Sequence, residues 1–216
     1  MIRNYLLVTL RNVRRNKIFS IINIAGLSIG LSACFLIWQY VRFESGYDTF
    51  HQNKNRLYRV AHQFYQNSNP LGGGAANSPA VVAAMKGNLP EVADFCRLVK
   101  TSLFTGNLSS FVANTLEFSY HDDKGGLTAF NEESVWFSDA SFFNLFSFPL
   151  IAGTADALKE PNSVVLTESI ARKYFGNTPA LGKHLRLNRE MVLTVTGIVE
   201  DVPLNSHLQF DILVSF

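Results

Sequence analysis

Side chains that could do chemistry lie scattered along the chain, without the spacings that metal or catalytic sites require. The two cysteines and five histidines fit neither a Cys-x-x-Cys nor a His-Glu-x-x-His pattern. A P-loop needs Gly-x-x-x-x-Gly-Lys-Ser/Thr, and that sequence does not occur. The sequence therefore predicts no metal ligand, no catalytic residue, no bound cofactor and no ATP hydrolysis by this chain.

Paired carboxylates are the next candidates, because two neighbouring acids can act as general acid and general base. Asp122-Asp123 lies in a turn-like stretch that continues into two glycines, and Glu132-Glu133 is interpreted as lying in an edge context. Both contexts are typical of a solvated surface. We therefore interpret both pairs as structural.

Four phenylalanines form the densest aromatic cluster of the chain: Phe142, Phe143, Phe146 and Phe148. Their simplest interpretation is a buried core. An exposed part of the cluster would instead form a docking patch or a surface that faces a substrate.

The longest apolar run extends from Ile18 to Val41 and contains no Asp, Glu, Lys or Arg. It exceeds the roughly 20 apolar residues that an α-helix needs to cross a bilayer. We predict a transmembrane helix over residues 18–43. Gly26 and Gly30 lie four residues apart within it, a spacing that lets two helices pack closely in lipid.

The flanks of this helix differ in charge, which predicts its orientation. Basic residues and no acid precede it, whereas Glu44 and Asp48 follow it. By the positive-inside bias, residues 1–17 stay in the cytoplasm and residues 44–216 lie outside. The topology determinants in this prediction are Arg11, Arg14, Arg15 and Lys17.

Residues 1–17 also carry an approximate helical stripe of apolar side chains, formed by Ile2, Tyr5, Leu6 and Val13. The pattern predicts a short amphipathic helix on the cytoplasmic surface of the membrane, attracted to anionic lipid. A simple topology signal is the alternative.

Leu31-Ser32-Ala33-Cys34 resembles the lipobox of bacterial lipoproteins, so processing that leaves a lipidated Cys34 is an alternative to a retained helix. Lipoproteins usually turn polar after the cysteine. Here the apolar run continues to Val41, which favours the retained transmembrane helix.

The part of the chain after the helix is mildly acidic. Of the 19 Lys and Arg residues, six lie up to Arg42, so residues 44–216 hold 13 basic residues against all 17 acidic ones. That balance gives no electrostatic reason to expect nucleic acid as a partner. Cys96 is the one cysteine of this part, so no internal disulfide is expected, and we predict that it is buried.

Strand-like and helical stretches alternate after the helix, which predicts an α+β fold with a mixed sheet and short helices. A loop is expected over residues 67–74, between a strand at residues 56–66 and a helix that starts at Ser78-Pro79. Further helices are predicted after Asp139 and from Thr167 to Gly176. The other predicted strands cover residues 93–103, 111–120, 127–137, 163–166, 185–187, 192–199 and 209–215.

Several motifs in a fixed order make the chain similar to a known family. They are Arg11-Asn12-Val13-Arg14-Arg15-Asn16-Lys17, Ile22-Asn23-Ile24-Ala25-Gly26-Leu27-Ser28-Ile29-Gly30, Tyr47-Asp48-Thr49-Phe50-His51, Arg56-Leu57-Tyr58-Arg59-Val60, Phe142-Phe143-Asn144-Leu145-Phe146-Ser147-Phe148-Pro149-Leu150, Ser163-Val164-Val165-Leu166-Thr167-Glu168-Ser169, Tyr174-Phe175-Gly176, Gly197-Ile198-Val199-Glu200-Asp201-Val202-Pro203 and Ser206-His207-Leu208-Gln209-Phe210. This series resembles the first transmembrane segment and the periplasmic core domain of ABC-transporter permeases related to MacB and FtsX.

The resemblance implies a permease subunit of the bacterial inner membrane, whose periplasmic domain occupies residues 44–216 and is expected to be incomplete at its C-terminus. It also implies a homodimer or pseudo-dimer, a separate cytoplasmic ABC ATPase subunit and a possible periplasmic adaptor. The expected function is to couple that ATPase to periplasmic export or mechanotransmission. A membrane-anchored periplasmic binding or sensor module and a lipoprotein processed at Cys34 remain the alternatives.

Overall fold

The structure, a computed structural model, describes residues 2–100, 115–122 and 125–216. Its contacts divide the chain into two compact units, Met1–Tyr47 and Asp48–Phe216.

The first unit consists of two helices, α1 (Ile2–Arg15) and α2 (Lys17–Ser45). No residue of α2 is buried, and its most apolar stretch has a mean hydropathy of 2.0. An apolar helix of 29 residues rises about 43 Å, more than the roughly 30 Å of a bilayer core. By length and composition, α2 is therefore a candidate membrane span.

The second unit contains three short α-helices and eleven strands within the described ranges. The helices are α3 (Pro79–Asn88), α4 (Phe142–Leu145) and α5 (Glu168–Phe175), and a 3₁₀ turn covers Lys54–Arg56. The strands are β1 (His62–Gln66), β2 (Asn69–Gly74), β3 (Leu98–Lys100), β4 (Leu116–His121), β5 (Leu127–Glu132), β6 (Val135–Ser138), β7 (Leu150–Ala152), β8 (Ser163–Thr167), β9 (His184–Leu187), β10 (Met191–Val199) and β11 (Ile212–Ser215).

Strands β3 to β11 form one mixed sheet in the order β3-β6-β11-β8-β10-β9-β4-β5, and β7 pairs with the end of β10. The β6–β11 and β8–β10 pairs are parallel, whereas the other pairs are antiparallel. Strands β1 and β2 form a separate two-stranded ribbon. The expected α+β fold with a mixed sheet and short helices is confirmed.

Successive side chains of a strand point to opposite sides of the sheet. The central strands are buried on both faces because an apolar cluster covers each side. In β8, Val164 and Leu166 pack in one apolar cluster, whereas Val165 between them packs in the other. Helix α5 covers the first cluster with Tyr174 and Phe175. All five of these side chains have 6% exposure or less.

The second apolar cluster is built around phenylalanines. Phe142 and Phe148 are almost fully buried, and their rings stack with centroids 5.6 Å apart. Phe143 and Phe146 are partly buried against the same cluster. The cluster is therefore core, as its simplest interpretation predicted, and Phe210 completes it by packing edge-on against Phe148 at 5.0 Å.

Two local predictions are wrong in the region before α3. The expected loop over residues 67–74 contains β2, which pairs with β1 through a turn whose central residues Asn67 and Ser68 have positive φ angles. A two-residue turn of that kind matches the twist of a hairpin. The strand expected over residues 56–66 begins only at His62.

The expected helices are present: α3 begins at the predicted proline, α4 follows Asp139, and α5 ends before Gly176, whose φ is +60°. The predicted strands at residues 93–103 and 111–120 correspond to the shorter β3 and β4, and residues 101–103 and 111–114 of these predictions lie outside the described residues.

The interpretation of the second carboxylate pair as solvated is wrong for one of its members. Glu132 has 5% exposure and accepts hydrogen bonds from Lys173 Nζ and Tyr174 Oη, each at 2.8 Å. A buried carboxylate requires such partners. Glu133 is exposed, and Asp123 of the first pair lies outside the described residues.

Cys96 is partly buried, and its thiol lies 3.3 Å from Ser138 Oγ. Burial raises the pKa of this thiol, so it is a poor nucleophile.

Candidate functional site

The small residues predicted to pack helices in the membrane lie open on α2. Apart from the backbone of α2 itself, no heavy atom of the described residues lies within 4 Å of the position that a Cβ would occupy at Gly26 or at Gly30. A spacing of four residues places both on one side of the helix. This part of α2 can therefore accept a second helix at close range, and its role in packing stays a prediction.

The segment from Gly26 to Gly30 also matches Gly-x-Ser-x-Gly, the pattern of the nucleophile elbow in α/β-hydrolases. An elbow requires a sharp turn between a strand and a helix. Here the five residues lie inside one continuous helix, so Ser28 is not held in that geometry.

The predicted topology determinants lie on both sides of the break between the two helices. Arg11, Arg14 and Arg15 belong to the second half of α1, and Lys17 is the first residue of α2. All four side chains are exposed. Cys34, the alternative lipidation site, is an exposed residue in the middle of α2.

The segment that follows α2 in sequence makes a dense set of polar contacts within the second unit. Asp48 has a φ of +52°, a conformation that Asp tolerates better than most residues. Its backbone N–H donates to the carbonyl oxygen of Asn205 at 3.0 Å. The loop that follows β10 is therefore tied to the start of this unit.

The carboxylate of Asp48 accepts three further hydrogen bonds from that loop. Ser206 Oγ donates to Oδ1 at 2.9 Å, the backbone N–H of His207 donates to Oδ1 at 3.1 Å, and His207 Nδ1 donates to Oδ2 at 2.6 Å. We call Asp48, Ser206 and His207 the Asp48 clasp. It joins residues that are up to 159 positions apart.

The electrostatics of the clasp favour an ionised Asp48. Partial burial acts to raise the pKa of this carboxyl, but the hydrogen bonds from His207 and Ser206 outweigh burial, so the pKa lies below its ordinary value. Asp48 is therefore a charged acceptor, and hydrogen bonds to charged acceptors are about twice as strong as neutral ones.

His51 forms a second attachment, three residues after Asp48. Its side chain is 4% exposed and packs against Phe50, Phe146 and Phe148 at centroid distances between 4.1 and 5.5 Å. The backbone N–H of Ser147 donates to His51 Nδ1 at 3.1 Å, so Nδ1 carries no proton.

Burial lowers the pKa of His51, against the opposing effect of the Asp48 charge, whose Oδ1 is 3.9 Å from Nε2. The imidazole is therefore held in its neutral form, with its proton on Nε2.

Two more hydrogen bonds extend this second attachment. The backbone N–H of Gln52 donates to Ser147 Oγ at 3.0 Å, and Asn53 Nδ2 lies 3.3 Å from the carbonyl oxygen of Leu145. Residues 48–53 are thus fixed to both the α4 region and the loop after β10. Because Phe50 and Phe148 belong to the apolar cluster that includes Leu213 of β11, these residues are also continuous with the core of the sheet.

The sequence motifs include Asp48 and His207 but do not indicate that the two residues meet. The loop after β10 also bonds within itself, since the N–H of Leu208 donates to Ser206 Oγ. The contact with Asp48 depends on the tertiary fold. The sequence shows an acid at position 48 and a histidine at position 207, but it does not indicate that their side chains lie close together in space.

Comparison with known proteins identifies the domain. Residues 20–216 match the family described as the MacB-like periplasmic core domain. The chain belongs to this family. The resemblance to MacB-like permeases that the motifs indicated is confirmed.

Three solved structures are similar to this MacB-like chain. A domain of a protein described as a permease, from Porphyromonas gingivalis, is 23% identical with a TM-score of 0.47, over 72% of this chain and 60% of that one. The extracellular domain of the ABC-type transporter YknZ from Gram-positive bacteria is 18% identical with a TM-score of 0.34, over 47% and 50%. The periplasmic region of MacB from Actinobacillus actinomycetemcomitans is 19% identical with a TM-score of 0.34, over 54% and 55%.

This MacB-like chain thus spans 60% of the first of those structures. None of the curated proteins with which it was compared matches it.

Proposed function

We propose that this chain is the N-terminal part of a permease subunit of an ABC transporter. Helix α2 would cross the bacterial inner membrane, with residues 1–17 in the cytoplasm and residues 44–216 in the periplasm. Membership in a family of periplasmic core domains supports this reading, together with an apolar helix of 29 residues that contains no buried side chain. The basic residues before the helix support the orientation.

The partner that supplies energy would be a separate cytoplasmic ABC ATPase subunit, since the chain lacks a P-loop sequence. A second permease helix, from an identical or related subunit, would pack on α2 at Gly26 and Gly30. A periplasmic adaptor is a further possible partner. The complex would use ATP binding and hydrolysis for periplasmic export or for mechanotransmission.

The observation that carries the mechanistic part of the proposal is the Asp48 clasp. A helix that moves in the membrane can move a folded domain as a rigid body only if the residues after the helix are fixed to that domain. Asp48 is held by four hydrogen bonds from the loop after β10 or to it, and His51 is buried among phenylalanines. Residues 48–53 would therefore transmit displacement into the sheet.

Topology is tested first, with single cysteines in a Cys34→Ser, Cys96→Ser background. Leu204, at 83% exposure, and Asn12 are replaced by Cys in turn, and cells with a permeabilised outer membrane are treated with a membrane-impermeant maleimide. We expect labelling of L204C in intact inner membranes and labelling of N12C only after detergent lysis. Labelling of N12C before lysis would refute the proposed orientation.

Coupling is tested on the permease subunit purified with its ATPase in lipid nanodiscs. A spin label at Met191→Cys, an exposed position of β10, reports the distance between the two periplasmic domains with and without ATP and vanadate. We expect an ATP-dependent change in distance that Asp48→Ala reduces while ATP hydrolysis continues. The exposed acid Asp156 supplies the matched control Asp156→Ala, which should leave the change intact. An identical response of D48A and D156A would exclude the clasp as the transmitting element.

A further inference from the structure

One face of the sheet carries a groove that plays no part in the proposed coupling. It has a volume of about 300 Å³ and lies over β4, β9 and β10. Its lining residues are Ser119, His121, His184, Arg186 and Val192, and we call it the Arg186 groove. No carboxylate is among them.

The strand register explains why these side chains share one face. Ser119 of β4 pairs with Arg186 of β9, and Arg186 pairs with Val192 of β10. Residues two apart on a strand point to the same side, so His121 and His184 flank that row. Continuing the β4–β9 register places the two histidines opposite each other, where side chains lie about 5 Å apart at Cβ.

Arg186 stands out by its lack of a counter-ion. Within the described ranges it forms no ion pair, although Arg189, three residues later, pairs with Glu117 at 2.8 Å. The surrounding domain, residues 44–216, has four more acidic than basic residues. An arginine and two histidines grouped without an acid in such a domain create a local excess of hydrogen-bond donors.

Two of the residues that line the groove, Ser119 and His184, have restricted side chains. Ser119 is 4% exposed, and its hydroxyl forms no hydrogen bond with any residue that the structure describes. The ring of His184 is oriented by a 3.2 Å contact between Nδ1 and Thr194 Oγ1. Solvent still reaches Ser119 Oγ, which is not among the buried polar atoms without a partner, so a ligand oxygen in the groove would accept its hydrogen bond in place of water.

We propose that the Arg186 groove binds an oxyanion of the phosphate class. The guanidinium of Arg186 would donate two parallel hydrogen bonds, and the Ser119 hydroxyl and the two imidazoles would donate to the remaining oxygens. An opposed pair of histidines could instead chelate a transition metal, but the positive charge of Arg186 on the same face disfavours a cation. Among the described residues, no cluster of three or more His, Cys, Asp or Glu is present to complete a metal site.

The test uses the full chain in uncharged maltoside micelles at one fixed, mildly acidic pH. Inorganic sulfate is the probe because its charge stays constant near this pH, and chloride at equal ionic strength is the reference. The readout is the imidazole NMR signals of His121 and His184, assigned with His→Gln variants. We expect saturable shifts with sulfate and none with chloride.

Arg186→Gln should weaken sulfate binding about tenfold, the loss expected for a charged hydrogen-bond donor. The matched control Arg189→Gln removes the same charge from the turn after β9 and should leave the affinity unchanged. If R186Q and R189Q weakened sulfate binding equally, the binding would reflect the net charge of the protein and not the Arg186 groove, and the proposal would be overturned. Absence of saturable sulfate shifts, with tight shifts on adding Zn²⁺ instead, would overturn it in favour of a metal site.

The source of the phosphate group is resolved by comparing inorganic phosphate with a soluble short-chain phosphatidylglycerol in the same assay. Tighter binding of the lipid, lost in R186Q, identifies a headgroup ligand. Tighter binding of inorganic phosphate identifies a free anion. Because the readout does not involve an ATPase or a membrane orientation, failure here leaves the proposed transport function untouched.

Discussion

His207 Nδ1 donates a hydrogen bond to Asp48 Oδ2 at 2.6 Å, although the two residues lie 159 positions apart in the chain. The contact joins the first residues of the second unit to the loop that precedes its last described strand, β11. Closing so long a stretch of chain is entropically unfavourable, so contacts on each side must offset that cost. The clasp provides them, together with the buried ring of His51.

The first prediction is that the clasp stabilises the second unit. Asp48→Ala removes three hydrogen bonds to a charged acceptor and places Ala at a positive φ, so we expect a loss of about 2–3 kcal/mol in the free energy of unfolding. Asp48→Asn keeps a side-chain acceptor and tolerates the same φ, and should cost about 1 kcal/mol. Urea unfolding followed by the fluorescence of Trp136, in a Trp38→Phe background, measures both values.

The control for this series is Asp156→Ala, which removes an exposed carboxylate. Surface substitutions of this type change stability by about 0.5 kcal/mol or less. If D48A were no more destabilising than D156A, the three hydrogen bonds would contribute nothing to the fold.

The second prediction concerns pH and follows from the buried neutral ring of His51. Burial holds the pKa of His51 below the value of about 6.5 that a histidine has in an unfolded chain. As pH falls, the unfolded state therefore takes up this proton first. The stability that the neutral ring contributes is present above about pH 6.5 and is lost as pH falls through the lower folded-state pKa.

His51→Asn should remove this part of the pH dependence, because Asn Oδ1 can accept the Ser147 N–H bond without titrating. The measurement is the urea midpoint at about pH 7.5 and about pH 5.5, compared between the variant and the wild type. We expect a smaller decrease for H51N. His184→Asn, at an exposed position, is the matched control and should retain the wild-type decrease. A wild-type decrease in H51N as well would show that other groups control acid sensitivity.

The third prediction compares two neighbouring acids. Glu132 is buried and bonded to Lys173 and Tyr174, whereas Glu133 is exposed. Glu132→Ala leaves the buried Tyr174 hydroxyl with only a longer contact to the carbonyl oxygen of Phe118, at 3.4 Å, and takes the acceptor from the exposed Lys173 ammonium, so we expect a cost of about 1–3 kcal/mol. Glu133→Ala should cost about 0.5 kcal/mol or less. Equal midpoints for the two variants in urea unfolding would contradict the role given to Glu132.

Glu132 also shows where sequence reasoning reaches its limit. Glu132, the last residue of β5, points to a face of the sheet that α5 covers, whereas Glu133 lies in the bend after the strand. The sequence does not indicate that α5 covers that face, because Lys173 and Tyr174 come about 40 residues later. The expectation of a solvated pair was therefore right for Glu133 and wrong for Glu132.

Elements whose bounds depend on neighbouring residues in the sequence were predicted well. Helix α5 follows from Gly176 at its end, and the candidate membrane span follows from composition alone. Thr167 occupies the N-cap position of α5 as expected, but its side chain forms no capping hydrogen bond with the described residues. The β1–β2 ribbon was missed because Asn69–Gly74 contains one proline and three glycines, which normally indicate a loop. The Asp48 clasp was missed because its partners are up to 159 positions apart in the chain and are brought together by the tertiary fold.

The fourth prediction tests the helix packing assigned to α2. Replacing Gly26 and Gly30 together with Leu adds bulk at positions that only the backbone of α2 itself approaches within 4 Å in the part of the chain that the structure describes. If a second helix occupies that space in the permease dimer, we expect the dimeric fraction in nanodiscs, measured by subunit cross-linking, to fall about tenfold or more. The helix itself should persist, since Leu is a better helix former than Gly.

The matched control for this pair is Ser28→Leu with Ser32→Leu. These residues have the same spacing on α2 but lie about 200° around the helix from the glycines. We expect the serine variant to dimerise like the wild type, because bulk on that side faces lipid. Loss of dimerisation in both variants would point to a general effect of bulk in the helix, and retention in both would remove Gly26 and Gly30 from the interface.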